Sequence, residues 1–274
     1  MGPCCAFIKR MQICSLTAYR ELLRLALSQG WTFCRYETDV RNLARALYLR
    51  HDVDYSLDSA VELARTNANL GVRGTFFLLL RSNLYNLLAP RNLKQARLLV
   101  DCGQDVGLHF AALDPPPQDP RDVLRLVQQE LDLFRREIPQ SRPIVAWHNP
   151  TAPWLQRFAD LELPQLVNVY HRTWTKDICY QSDSNLRNRP EDFATLLRRS
   201  TLRRLHLLFH PINWTIGGND MVEIFAGAWR QVIREREDEF QLNRVYQQTF
   251  PNGMPSEILE KFAHEWSAAA RRAA

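Results

Sequence analysis

Glycine is scarce, with 10 in 274 residues, and none of them forms a GxGxxG or GxxxxGK(S/T) pattern after an apolar run. The loop that cradles phosphates in dinucleotide-binding and P-loop proteins is therefore missing, which weakens both readings. The six cysteines, Cys4, Cys5, Cys14, Cys34, Cys102 and Cys179, have neither the paired spacing of a zinc ribbon nor the density of a disulfide scaffold. They read as thiols in a reducing compartment. No stretch approaches 18 uncharged apolar residues, so no transmembrane segment is expected. Near the start, Lys9, Arg10, Arg20, Glu21 and Arg24 interrupt the apolar core that a secretory signal needs. The cytoplasmic compartment is the expected location.

Charge of one sign is also scarce. Lys and Arg total 35 against 30 Asp and Glu, a net charge of +5, and the densest basic stretch is Arg198, Arg199, Arg203 and Arg204. A nucleic-acid face needs a tighter stripe, so no nucleic-acid partner is expected. A weak attraction to anionic surfaces, including peripheral association with a membrane, is all that the excess allows. The chain is 46% hydrophobic and 24% charged. That balance fills a large core and excludes a disordered tail or a collagen-like fibre.

Short apolar runs alternate with helical segments. A helix around Leu22–Leu27 ends at Gly30. A strand over Ala46–Leu49 runs into Arg50-His51-Asp52-Val53-Asp54. A helix over Ser59–Leu70 closes at Gly71, and a strand follows over Gly74–Leu80, bounded by Arg81 and Ser82. The same alternation continues with a helix over Leu93–Cys102 and a strand over Val106–Phe110. A proline-rich loop at Pro115–Pro117 then precedes an amphipathic helix over Asp122–Ile138. Further strands are read at Ile144–Trp147, Leu166–Tyr170, Ile178–Gln181 and Leu205–Phe209. Helices open at Pro190 and span Met221–Arg236 and Ser256–Arg272, the last packing on the barrel. This alternation predicts a mostly parallel sheet covered by helices. The expected fold class is α/β, a distorted (β/α)7-type barrel in a single domain over residues 41–274, closed or nearly so, after a helical extension over 1–40. An open doubly wound sheet is the alternative.

In such folds ligands bind beyond the carboxyl ends of the strands. His51, His109, His148 and His210 each fall at or just past an expected strand end, and His171 follows another. His206 falls inside a strand and His264 in the terminal helix. Asp52 and Asp54, two residues apart, point to one side of a strand. Two neighbouring carboxylates repel unless a cation or a base separates their roles: one can ligate a metal while the other takes a proton. The bland reading makes them a helix cap or a surface pair. His109 reads as a ligand, His148 as a metal or substrate contact or a loop scaffold, and His210 as a ligand or proton carrier. One aspartate and two imidazoles with a position left for water form a sensible catalytic Zn²⁺ set.

Six segments carry a resemblance: Arg50-His51-Asp52-Val53-Asp54, Gly74-Thr75-Phe76-Phe77, Gly103–His109, Trp147-His148-Asn149-Pro150, Ser182-Asp183-Ser184 and Phe209-His210-Pro211. In this order they resemble the polysaccharide deacetylase superfamily, of NodB-homology type, in its branch with an Arg-His-Asp-Val-Asp opening. The likeness spans about residues 49–214. It implies a distorted (β/α) barrel that removes acetyl groups from N-acetylated sugars with Zn²⁺ or another divalent transition metal. Carried over, Asp52 resembles the general base, Asp54 the metal-binding carboxylate, and His109 the first histidine of a His-x-x-x-His ligand pair. His210 matches the general acid, and Asp183 the acidic residue that orients it. The second ligand histidine is replaced by Leu113, which cannot bind a metal. His148 stands where many members carry an arginine that steadies the base. We expect His148 to supply the vacant third ligand, leaving Arg50 or Arg142 to steady Asp52.

The resemblance implies that Asp52 takes a proton from water, and that the resulting hydroxide attacks an acetamide carbonyl. The metal and a backbone N–H hold the oxyanion, and protonated His210 donates to the leaving amine. The expected partner is an N-acetylated amino sugar, free or carried on a nucleotide or lipid, used to build O-antigen, capsule or another surface glycan. Trp147, Trp174, Trp214, Tyr170 and Tyr180 are candidates to stack on it. Two other readings compete: hydrolysis of another amide or cyclic imide, and a catalytically inactive homologue that only binds glycans. The oligomeric state is not legible.

Overall fold

The computed structural model of the chain describes residues 13–111, 119–149, 161–163 and 165–258. Helix α1 (Leu16–Ser28) starts where the Ser15 hydroxyl accepts from the Ala18 N–H, an N-cap that satisfies one of the free donors of the first turn. The short strand β1 (Thr32–Phe33) follows, then β2 (Ala46–Val53), in which every residue is buried. Ser56 caps α2 (Leu57–Asn69), which leads to β3 (Thr75–Leu79). Pro90 opens α3 (Pro90–Asp101) before β4 (Asp105–Phe110). Asp119 caps α4 (Pro120–Glu137), and β5 (Ile144–Trp147) and β6 (Val167–Asn168) come next. A one-turn helix α5 (Arg172–Thr175) precedes β7 (Cys179–Ser182). The alternation ends with α6 (Pro190–Arg198), β8 (Arg204–Phe209) and α7 (Pro211–Thr215).

The strands pair in the order β6-β5-β4-β3-β2-β8-β7, every pair parallel, with β1 attached to the start of β2. The sheet curls into an open, seven-stranded half-barrel. This is the distorted (β/α)7-type α/β architecture expected, left open between its edge strands β6 and β7. Both faces are covered, as parallel sheets require. The outer core joins Leu47, Leu49 and Val53 of β2 to Leu63 of α2, Leu99 of α3 and Phe134 of α4. The inner face carries Ala46 and Tyr48 against Phe77, Ile144 and Ala146.

The chain divides into two compact units, residues 1–224 and 225–274. The first includes α1, the helix expected to form an extension. Helix α8 (Met221–Phe240) crosses the division, and α9 (Arg244–Thr249) follows. In the second unit the Tyr246 hydroxyl donates to Glu237 at 2.5 Å, and Phe240 stacks on the Tyr246 ring. The helix expected over 256–272 lies outside the described residues beyond Ile258, as do the Pro115–Pro117 loop and His264. No helix among the described residues is long and apolar enough to cross a membrane, and the four described cysteines are free thiols.

Strand β2 is longer than expected, and this corrects the reading of His51. The strand continues to Val53, so His51 lies within it on the face turned to the helices. Its ring stacks on Phe76 with centroids 4.1 Å apart. The Tyr19 hydroxyl donates to Asn67 at 2.6 Å, so its oxygen accepts from His51 Nε2 at 2.8 Å. His206 is likewise buried in β8, with Nδ1 2.9 Å from the Trp174 carbonyl and Nε2 2.8 Å from the Tyr36 hydroxyl. Burial lowers the pKa of each to about 3. Both therefore stay neutral in the folded chain, while the unfolded chain protonates them below about pH 6.5.

Two predictions follow from this packing. Folding stability falls as pH drops from about 6.5 towards 3, because the unfolded state then binds more protons. Each such histidine contributes a slope of about 1.4 kcal/mol per pH unit, so His206→Gln makes the urea-denaturation midpoint less sensitive to acid than in the parent chain. The second concerns β4, where a Cβ on Gly107 would lie 2.5 Å from Ile144 Cγ1 and 3.0 Å from the Ile144 carbonyl oxygen. Gly107→Ala overpacks this contact at a cost of about 1–3 kcal/mol, seen as a melting temperature lower by roughly 2–4 °C per kcal/mol.

Candidate metal centre

Side-chain alternation along the parallel strands assembles the site. Arg50 and Asp52 share the inner face of β2, and Asp54 follows just past its end. Because Ser56 is the cap of α2, Asp54 is not spent on that helix. His109 is the penultimate residue of β4, and His148 follows β5, where its N–H donates to the Phe110 carbonyl at 2.9 Å. The next residue, Asn149, turns the chain with a φ of +49°. His210 caps α7 directly after β8.

The structure brings Asp54, His109 and His148 together, with one ligand atom from each lying within 4.8 Å of the others. Asp54 Oδ1 is 3.1 Å from His109 Nε2 and 3.3 Å from His148 Nδ1. It is buried, yet neither contact has the geometry of a hydrogen bond. For His109 the tautomer accounts for the missing bond. Its Nδ1–H donates to the Ala146 carbonyl at 3.1 Å, so Nε2 of the neutral ring carries a lone pair and has no proton to offer Asp54. Lone pairs that face one another at this distance repel unless a cation lies among them. A backbone carbonyl on the far nitrogen is also how metal-ligating histidines are usually oriented. These residues fit a divalent metal ion.

The flanking groups are fixed as firmly. Arg50 donates twice to Asp52, from Nε to Oδ1 and from Nη2 to Oδ2, both at 2.7 Å, and neither side chain is more than 3% exposed. The Tyr170 ring covers the guanidinium at 4.4 Å. Burial opposes charge on Asp52, but Arg50 outweighs it and holds the carboxyl below its usual range. Burial opposes charge on Asp54 as well, and the neighbouring imidazoles, when they carry a proton, hold its carboxyl well below the usual range. Arg142, the other candidate to steady Asp52, pairs instead with Glu37 at 2.8 Å.

His210 Nδ1 lies 2.6 Å from Asp183, which is fully buried and also accepts from the His210 N–H and from Trp214 Nε1. Burial disfavours the imidazolium, but the Asp183 carboxylate more than compensates and raises the His210 pKa to about 9. His210 Nε2 is turned to the cluster, 3.7 Å from Asp54 Oδ2. His171 caps the short helix α5 and does not join. Among the expected stacking aromatics, Trp147 and Trp214 are fully buried, and Trp174 packs its ring against Tyr36 and Tyr48. Trp147 and Trp214 therefore serve packing. Leu113 lies outside the described residues.

A cavity of about 500 Å³ opens beside the cluster, walled by Asp54, His148, Tyr55, Arg81, Ser82 and Asn149 among others. In the sequence Arg81 marks only the far boundary of β3, and its partner Glu130 is not among the candidate site residues. The signal for Glu130 was there: it is a charged residue three positions after Val127 and one before Leu131, on the apolar stripe of α4.

In comparisons with known proteins, the chain matches no family model, no curated protein and no solved structure. Fold and site therefore speak for themselves: an α/β half-barrel with an Asp/His/His cluster able to chelate a divalent metal, consistent with a metal-dependent hydrolase. Replacing any one of Asp54, His109 or His148 by alanine should lower zinc affinity by more than about 100-fold, beyond what loss of an orienting neighbour costs, as read by competition with a chelating dye. Asp54 outweighs burial at His148 and raises its pKa. A proton thus competes for the ligand, and affinity should weaken as pH falls below neutrality.

Proposed function

We propose that the protein is a metal-dependent deacetylase of the polysaccharide deacetylase type, acting on the N-acetyl group of an amino sugar. The observation that carries the reading is the arrangement of two poised proton carriers around one cation-ready cluster. Asp52 is held ionised by Arg50, and His210 is held protonated by Asp183. Paired groups whose environments drive their pKa values apart are the mark of acid and base assignments.

A divalent ion on Asp54, His109 and His148, zinc in our reading, supplies Lewis acidity: it lowers the pKa of water and polarises a carbonyl. The remaining steps belong to side chains. Asp52 accepts the proton of the attacking water. Its second oxygen, 3.6 Å from His109 Nε2, lies next to the cluster where that water has to be. Arg50 cannot leave the carboxylate, so the base keeps one orientation throughout. His210 donates through Nε2 to the departing nitrogen, while Asp183 on Nδ1 stabilises the charged ring until the proton has gone. The cavity has room for a monosaccharide, and Ser82, Asn83 and Asn149 offer hydrogen bonds to it. We place the substrate among the intermediates of surface-glycan assembly, free or carried on a nucleotide or lipid, and the enzyme in the cytoplasm.

The test is acetate release by zinc-loaded protein from a panel of free, nucleotide-linked and lipid-linked N-acetyl amino sugars. His210→Gln should reduce turnover by about 10²–10⁴-fold, the range for loss of one proton transfer, while zinc content stays near that of the parent. Asp52→Asn should abolish nearly all of it. This second change also strands the buried Arg50 charge, which costs about 3–5 kcal/mol, so its folding is checked by circular dichroism. Full acetate release by His210→Gln would remove the acid from the mechanism, and no release from any sugar by the zinc-loaded parent would sink the substrate assignment.

A further inference from the structure

Beyond the end of β3, the segment Arg81-Ser82-Asn83 lines the same cavity as Asp54 and His148. Its turn is pinned in place. The Tyr85 hydroxyl donates to the Val53 carbonyl at 2.7 Å and accepts from the Leu79 N–H at 2.8 Å, tying the turn to β2 and β3. Ser82 Oγ accepts from the N–H groups of Leu84 and Tyr85 at 3.1 and 3.3 Å, and its own O–H remains to donate. The guanidinium is held too: Arg81 Nε donates to Glu130 Oε1 at 2.6 Å.

The partners of this ion pair are unequal. The Arg81 side chain is 58% exposed and that of Glu130 only 3%. Burial pushes the Glu130 carboxyl up, against the pull of Arg81, and its Oε2 has no hydrogen-bond partner. A carboxylate set in the apolar face of a helix, with half its acceptors unused, pays more in desolvation than a solvent-screened pair returns. Stability does not account for it. What the pair achieves is to fix one edge of the guanidinium, leaving its two terminal nitrogens without a protein partner among the described residues.

Two parallel N–H donors on a rigid plane match the two oxygens of a carboxylate or phosphate. We propose that Arg81, positioned by Glu130, determines specificity by gripping an oxyanion substituent of the substrate in the cavity beside the metal cluster. This deepens the deacetylase reading and rests on it: the sugar taken is an acidic one, a uronic acid or a sugar phosphate, rather than a neutral one.

The test is calorimetric titration of the full chain, zinc-loaded and after chelation, with inorganic phosphate, with glucuronate and with glucose. At least one anion should bind in both metal states, and the tighter of the two names the group. Arg81→Gln should weaken it by at least about tenfold, the scale of one charge-assisted contact, Arg81→Lys by less, and Glu130→Gln by an intermediate amount, with glucose unaffected. Arg81→Gln leaves the buried Glu130 carboxyl unpaired and Glu130→Gln alters a buried side chain. The fold of each variant is therefore checked by its melting curve, and Arg81→Lys, which keeps a cation beside Glu130, is the comparison that stands if the others are destabilised. Anion binding that is equal in Arg81→Gln and the parent, or that appears only with zinc and ignores Arg81, overturns the proposal. The zinc content of the same samples reports separately on the hydrolase: a parent chain that holds no zinc but binds anions through Arg81 would remove the hydrolase and leave this site standing.

Discussion

On the inner face of β2 an arginine and an aspartate, two residues apart, hold each other through a pair of 2.7 Å hydrogen bonds with almost no contact with water. Charge buried this deeply is tolerated when it is paired; Arg50 Nη1 has no hydrogen-bond partner among the described residues, and the aromatic face of Tyr170 over the guanidinium shelters the charge. The pair also sets the register of the strand. Shifting β2 by one residue would turn His51 and Val53 inward and carry Arg50 and Asp52 into the helix layer, parting the charged pair from the inner face. Asp54, the carboxylate that meets both histidines, owes its position to the same alternation.

Neighbouring strands converge on that fixed point in the same manner. Parallel pairing sets His109 of β4 opposite Leu79 of β3 and Ala146 of β5. The carbonyl of Ala146 in turn selects the tautomer that leaves Nε2 of His109 free to ligate. The metal cluster is therefore made partly of backbone: a sheet hydrogen-bond acceptor decides which ring nitrogen faces the aspartate. Close approach of β4 to β5 at Gly107, where Ile144 leaves no room for a Cβ, belongs to the same constraint. On the opposite flank Asp183 gathers His210 and Trp214, so that one buried carboxylate positions both the proton carrier and the short helix α7 behind it.

Much of this was readable in advance. Apolar runs such as Thr75–Leu79 and Ile144–Trp147 announce buried parallel strands by composition alone, and Pro190 announces a helix start through its fixed φ. Placement at strand ends separated His109, His148 and His210 from the rest. The same rule misplaced His51, because it depends on where β2 ends and a charged run such as Arg50–Asp54 hides that boundary. Trp147 and Trp214 misled for a related reason: aromatic residues near a strand end face either the rim or the helix layer, and only the packed structure tells which.

Residue order alone carries the alternation of strands and helices, the two-residue spacing that puts Arg50, Asp52 and Asp54 on one face, and the delivery of imidazoles to strand ends. All of these follow from local periodicity and chain direction. Tertiary structure alone decided that His148 rather than any other group stands beside His109, that Arg50 and not Arg142 holds Asp52, and that Glu130 reaches Arg81 across 49 positions of chain. Such pairings depend on strand order and sheet curl, and these are set by how the whole core packs.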